Sequence, residues 1–277
     1  MIIKKIINRC FEIQTAHNIL YWLSIIRRLI IKSKKYRSMM DVFNKRKFFV
    51  IKKSEMLFSL RDLGNSSISR GKFFFIKETD TISWIDSFAP KSNFLDVGAN
   101  IGIFSLYAAN KNHNVLSIEP ESLNFAALNI NINDNNFNSN ITAFPFSIDC
   151  EKKIGKLELS ELNWGKSGHN FNKQNNDKVK YKQGSYGISL DDLTTEANFL
   201  PDYVKIDVDG NEFKVIMGME NLLKNRSIKN ILIEIDIGKD QNKEIISFLS
   251  NYGYQEISKK VVEQSLPNII NYIFAHK

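Results

Sequence analysis

The sequence predicts an α/β fold: a doubly wound, mostly parallel sheet of seven strands closed by a terminal antiparallel pair. Three observations carry this. From residue 92 onward, short apolar runs alternate with amphipathic stretches, the pattern of βαβ units around a parallel sheet. One of those runs ends in a glycine-containing turn, Asp96-Val97-Gly98-Ala99-Asn100-Ile101-Gly102, after which a helical pattern begins at once. Composition agrees, since 43% hydrophobic and 25% charged residues suit a globular protein with a buried core. A chain of 277 residues accommodates one large domain or one domain with an appendage.

Taken in order, residues 1–40 read as a basic amphipathic helical segment. Ile2, Ile3, Ile6, Ile7, Cys10 and Phe11 recur at spacings of three and four, as do Trp22, Leu23, Ile26, Leu29 and Ile30. Lys4, Lys5, Arg9, Arg27, Arg28 and Lys32 supply the polar side. Such a helix suits a membrane surface, and equally a partner or its own domain. Residues 41–90 read as a small β-containing cap, with strands at 47–53, 56–60 and 72–77 and a turn at Gly64-Asn65-Ser66-Ser67. The main domain then spans 91–277. Its expected strands are 93–97, 115–119, 141–148, 203–208 and 230–236, with 254–258 and 269–274 as the closing pair. Helices are expected at 102–110, 121–133, 210–224 and 241–251, and residues 151–187 as a hairpin with a loop.

Charge is unevenly placed. The chain carries +8, but residues 1–90 hold 18 Lys and Arg against 7 Asp and Glu, so the remainder is slightly acidic. A basic front suits acidic lipid, a charged glycan or nucleic acid. No aromatic–basic module accompanies it, which makes nucleic acid the weakest of the three. Cys10 and Cys150 lie far apart without metal-ligand spacing, as expected of a reduced, cytoplasmic setting. No run reaches the roughly 18 apolar residues that span a bilayer. The nearest, residues 19–31, is broken by Arg27 and Arg28, and no signal-peptide pattern opens the chain. The expected location is therefore cytoplasmic, with peripheral membrane contact through residues 1–40.

The chemistry concentrates at strand ends. Glycines at 98 and 102 allow close backbone approach to a ligand. The turn is not the nicotinamide fingerprint: Asp96 stands where that turn wants glycine, and Asn100 breaks the remaining spacing. A carboxylate there repels a pyrophosphate and suits a cationic cofactor such as S-adenosylmethionine. Glu119 closes the second strand, where an acid can accept both ribose hydroxyls. Ser147 and Ile148 close the third and are expected beside the adenine. In Val204-Lys205-Ile206-Asp207-Val208-Asp209-Gly210-Asn211-Glu212, a buried strand delivers Asp207 and, if it continues that far, Asp209 to the same edge. Clustered carboxylates raise one another's pKa and can act as a general base. Glu212 falls on the next helix's first turn and serves either that base or the helix dipole. His169, in the loop after the third strand, is either a base over the site or an exposed loop residue. Asp207 with Asp236 has the oxygen chemistry for Mg²⁺, but spacing alone does not establish such a site and none is assigned.

Together these segments resemble the FkbM family of methyltransferases over roughly residues 90–238. The family's D-V-G-A-N-x-G, F-E-P, L-D-D and K-I-D-V-E-G-x-E stand here as residues 96–102, Ile118-Glu119-Pro120, Leu190-Asp191-Asp192, and residues 205–212. Ile118 replaces an aromatic, and Asp209 a longer acid whose reach is shortened. The resemblance implies a Rossmann-like sheet of the class I methyltransferase type. It also implies S-adenosylmethionine-dependent O-methylation of a hydroxyl on a sugar, glycan or secondary metabolite. The cofactor residues are then Asp96, Gly98, Asn100, Gly102, Glu119, Ser147 and Ile148, and the catalytic candidates Asp207, Asp209, Glu212 and His169. Two other readings stand beside it: a non-catalytic scaffold of the same fold in a membrane-associated glycan-assembly complex, and an NAD-dependent oxidoreductase.

Overall fold

Aliphatic and β-branched runs that are buried on both faces can pair only inside a sheet covered by helices. Leu95, Val97, Leu116, Val204, Ile206, Ile231 and Ile233 are such residues, each almost wholly buried. The computed structural model describes residues 48–53, 56–167, 170–171, 179–238, 240–263 and 266–276. The basic segment 1–40 and His169 lie outside the described residues.

The central sheet comprises β3 (Asn93–Val97), β4 (Asn114–Ile118), β5 (Ile141–Phe144), β10 (Tyr203–Ile206), β11 (Asn230–Asp236), β12 (Tyr254–Glu263) and β13 (Leu266–His276). Their spatial order is β12-β13-β11-β10-β3-β4-β5. The pairings from β5 across to β11 are parallel, while β13 runs antiparallel to both its neighbours, β11 and β12. This is the seven-stranded doubly wound sheet expected from the sequence, with the chain's last strand inserted antiparallel. Helices α3 (Ile103–Asn110) and α4 (Ser122–Asp134) cover one face. Helices α6 (Glu212–Met217), α7 (Glu220–Lys224) and α8 (Asp240–Asn251) cover the other.

Ahead of the sheet come the hairpin β1 (Phe48–Lys53) and β2 (Met56–Arg61), then α1 (Asn65–Lys77) and α2 (Thr79–Asp86). Residues 72–77, expected as a strand, are the end of α1. Ser67, Gly71 and Phe74 repeat at four and three and form its buried face, a helical period that the aromatic run masks. The turn expected from Gly64 is in fact its N-cap, with φ at 122°. The hairpin is tied down by Asn135, whose Oδ1 accepts from Ser59 N at 2.7 Å, and by the Arg61 guanidinium on Asp134.

Two further departures shape the site. Pro145 has no amide to give and ends β5 after Phe144. Ser147–Ile148 (β6) then leaves the main sheet and joins β7 (Lys153–Leu159), β8 (Asn170–Phe171) and β9 (Tyr181–Ile188) in order β6-β9-β7-β8. The single helix expected over 210–224 is broken at Gly218, where a Cβ would come 2.4 Å from Asp149 O. A short helix, α5 (Leu190–Glu196), capped by Ser189 on Asp192 N, precedes β10.

Candidate active site

From β3 the chain winds to β4 and β5 on one side, then crosses to β10 and β11 on the other. At that reversal the carboxyl ends of β3 and β10 border a crevice, the usual ligand position in such sheets. Here it is a cleft of about 820 Å³, open mouth included, within the range that small-molecule sites occupy.

Its floor is the turn after β3. Gly98 has φ at 83°, and a Cβ there would stand 1.8 Å from Asp207 O, so no side chain is tolerated. That closeness brings β3 and β10 together, with Asp207 N donating to Val97 O at 3.0 Å. Ile118 O accepts from both Gly98 N and Ala99 N. Asn100 holds φ at 53°, and its Nδ2 donates to Lys166 O at 2.8 Å. Asn124 Nδ2 reaches the same carbonyl, so the loop before Ser167 is clamped onto the turn. Gly102, also with positive φ, leads into α3.

Glu119 follows β4 and lines the cleft. It is 5% exposed, and its carboxylate accepts from Asn100 N at 2.8 Å and from Glu121 N at 2.9 Å. Burial outweighs these two bonds and pushes the carboxyl up to about 8. Ser147 and Ile148 line the opposite wall with Phe146, and Ser147 Oγ shares a 2.8 Å hydrogen bond with Ser185. The structure thus brings Gly98, Asn100, Glu119, Ser147 and Ile148 around one cavity.

Asp96 does not line it. The side chain is wholly buried behind the turn, where Oδ2 accepts from Ser105 Oγ at 2.6 Å and that hydroxyl meets Ser117 Oγ at 2.8 Å. Oδ1 has no hydrogen-bond partner and lies 3.8 Å from Lys205 Nζ. Burial raises its pKa against the pull of Lys205. In register beside Asp96, Lys205 is 3% exposed and donates to Asp207 Oδ2 at 3.0 Å. Its ammonium stands 4.9 Å from the centre of the Phe104 ring. Burial alone would discharge this lysine, but Asp207 and Asp96 together hold its pKa above the usual value.

Of the three catalytic candidates among the described residues, Asp207 alone reaches the cleft as a partly exposed carboxylate beside a buried cation. The strand stops at Ile206, so the alternation expected to align Asp209 with Asp207 does not apply; Asp209 lines the rim with φ at 57°. Glu212 is 4% exposed, and its Oε1 accepts from Gly210 N at 2.6 Å, where it supports the turn into α6. Glu234 follows Ile233, the register partner of Ile206. Burial and then Asp207 push it up to about 8. Asp236 Oδ1 accepts from Gly238 N at 3.1 Å. Among the described residues no cluster of three or more His, Cys, Asp or Glu could hold a metal ion.

The sequence reading named Lys205 only as part of a motif. A lone lysine in an otherwise apolar four-residue strand is its signal, since such a residue is buried only when paired. Arg70 and Phe104, also at the cleft, carried no such mark.

The family model for the methyltransferase FkbM domain matches residues 96–256. The chain belongs to the FkbM methyltransferase family. The match begins at Asp96, the first residue of the glycine turn, and extends beyond residue 238, where the motif resemblance ended. A hexuronic acid methyltransferase, AglP of Haloferax volcanii, is 27% identical over 205 residues, 73% of this chain and 75% of that protein. Among solved structures, an FkbM methyltransferase from Methylobacillus flagellatus is 18% identical with a TM-score of 0.46. That match covers 67% of this chain and only 44% of the other, so this chain spans less than half of that protein's length. A fibrillarin pre-rRNA processing protein from Methanococcus jannaschii is 13% identical, covering 84% and 83%, with a TM-score of 0.46. Among the described residues no helix is long and apolar enough to cross a membrane.

Proposed function

We propose that this FkbM-family chain is an S-adenosylmethionine-dependent O-methyltransferase acting on a hydroxyl of a sugar. The observation that carries the reading is Glu119: a buried carboxylate at the cleft, fixed by two backbone amides, directly beside the glycine turn. Each of its oxygens keeps a second lone pair, the acceptor set that a ribose diol needs. Phe146 and Ile148 give the same cavity an apolar wall for a purine, and Gly98 and Asn100 a close backbone approach for the amino-acid end. The donor set therefore fits the cofactor, whose sulfonium would supply an activated methyl group. The relative named for hexuronic acid supports a sugar acceptor.

The chain's own part is positioning and proton handling. Asp207 Oδ2 is engaged by Lys205, and Oδ1 is left to accept the hydrogen of an incoming hydroxyl. Lys205 orients Asp207, while Asp96, locked by Ser105, holds Lys205 from behind. Orientation of the two reactants contributes most when the leaving group is already good. Arg70, on α1, lines the same cleft.

Calorimetric titration with S-adenosylmethionine and S-adenosylhomocysteine, with NAD as control, tests the reading. Binding in the micromolar range, about −8 kcal/mol, is expected for the first two and none for NAD. A well-folded protein that binds neither sulfur compound would overturn the proposal.

A further inference from the structure

Next to the cleft lies a second recess, between α1 and the first turn of α3. Its walls include Ser69, Arg70, Phe73, Lys77, Glu78 and Phe104. Arg70, Ile103 and Phe104 line both spaces, so the recess opens into the cleft. Its empty volume is about 580 Å³, mouth included, room for a sugar ring.

Arg70 is the distinctive residue. Its Nε donates to Gly165 O at 2.9 Å, which fixes the guanidinium plane. Among the described residues, no acceptor takes a hydrogen bond from its two Nη groups, and no carboxylate forms an ion pair with it. A guanidinium held in one plane with two donors unused is preorganised for a forked contact with an oxyanion. Phe73, 44% exposed, offers an aromatic face of the kind against which a sugar ring can lie. Lys77, whose Nζ stands 5.9 Å from the Phe73 ring centre, adds a second positive charge to the same rim.

We propose that this recess is the acceptor subsite and that Arg70 makes it selective for a sugar bearing an oxyanion, a carboxylate or a phosphate, over the neutral sugar. That it orients a hydroxyl for methyl transfer rests on the function proposed above; that it binds an anionic sugar does not. Glu78 stands on the same wall, where burial raises its pKa against the pull of Lys205, Arg70 and Lys77.

The test is titration of the full chain, with and without saturating S-adenosylhomocysteine, using glucuronic acid, a glucose phosphate and methyl glucoside. An anionic sugar is expected to bind about 10- to 100-fold more tightly than the glucoside, the range of a charge-assisted contact. Rising salt should erode that preference, a readout that needs no substitution. Arg70→Gln should bring the ratio close to one, and Arg70→Lys, which keeps the charge without the fork, should retain part of it. Equal binding of acidic and neutral sugars, failure of both anionic sugars to bind, or an unchanged preference in Arg70→Gln overturns the proposal. Failure of S-adenosylhomocysteine to bind, with the anion preference intact, would remove the methyl-transfer reading and leave the subsite standing.

Discussion

Glu119 provides the sharpest test of how the cleft holds its cofactor. In the free protein its carboxyl titrates near 8 because burial outweighs the amides of Asn100 and Glu121. A ribose that donates to both oxygens binds the ionised form, so affinity should rise with pH and level off above about 8. Below that point the competent fraction falls about tenfold per pH unit, and apparent affinity falls with it. Removing the carboxylate by Glu119→Ala deletes two hydrogen bonds to an ionised acceptor, each worth about 1.5–3 kcal/mol. The expected loss is therefore about 3–6 kcal/mol, or roughly 150- to 20,000-fold in Kd. The assay is calorimetric titration with S-adenosylhomocysteine from about pH 6 to 9, on wild type and variant, with far-ultraviolet circular dichroism to confirm that both are folded. The wild type should show the pH-dependent rise and the variant a weak, flat profile. A wild-type affinity independent of pH, together with near-normal binding by Glu119→Ala, would refute both the ribose contact and the titration behind it.

Other expectations follow from the same geometry. Gly98→Ala should cost more stability than Gly102→Ala: the first drives a Cβ onto backbone Asp207 O, the second onto the movable tip of Leu128 at 2.4 Å. Thermal unfolding should separate them, with Gly98→Ala lower by about 2 kcal/mol or more. Lys205→Met strands Asp96 as an unpaired buried charge, a loss of about 3–5 kcal/mol at neutral pH. That loss should shrink as pH falls and Asp96 takes a proton, which urea unfolding at two pH values would reveal. Asp207→Asn, at a partly exposed carboxylate, should cost little stability yet lower turnover about 100-fold if Asp207 is the base. For Glu119, a folded pKa near 8 against 4.5 unfolded means that the native state holds the extra proton between those values. Wild-type stability relative to Glu119→Gln should therefore decline as pH rises through that window and then level off, as measured by denaturant midpoints.

The cofactor half of the site was legible in the sequence because its determinants are local. Gly98, Asn100 and Gly102 fall within one turn, and Glu119 stands at the end of the adjacent strand, so strand ends and turn chemistry alone bring them to one edge. Prediction weakened wherever direction depended on where a strand stops. Asp209 was paired with Asp207 on the premise of continued alternation, but the strand ends at Ile206 and the backbone turns left-handed at 209. Asp96 was expected to face the ligand for its charge; instead it points behind the turn to Ser105, because Lys205 occupies the next strand at the same level. That pairing joins residues far apart in the chain, and only the crossover to β10 brings them together. The acceptor half was less legible still. Arg70 belongs to a helix whose aromatic run read as a strand, and its place at the cleft depends on Gly165, a loop residue clamped by Asn124. Charge in the catalytic region is thus arranged in depth: Asp96 and Lys205 lie buried against each other, Asp207 carries that contact out to the cleft, and Arg70 stands where the two cavities meet. A chain that substituted Asp96 by a neutral residue would leave Lys205 with Asp207 as its principal partner and would lose the buried contact that holds the ammonium from behind.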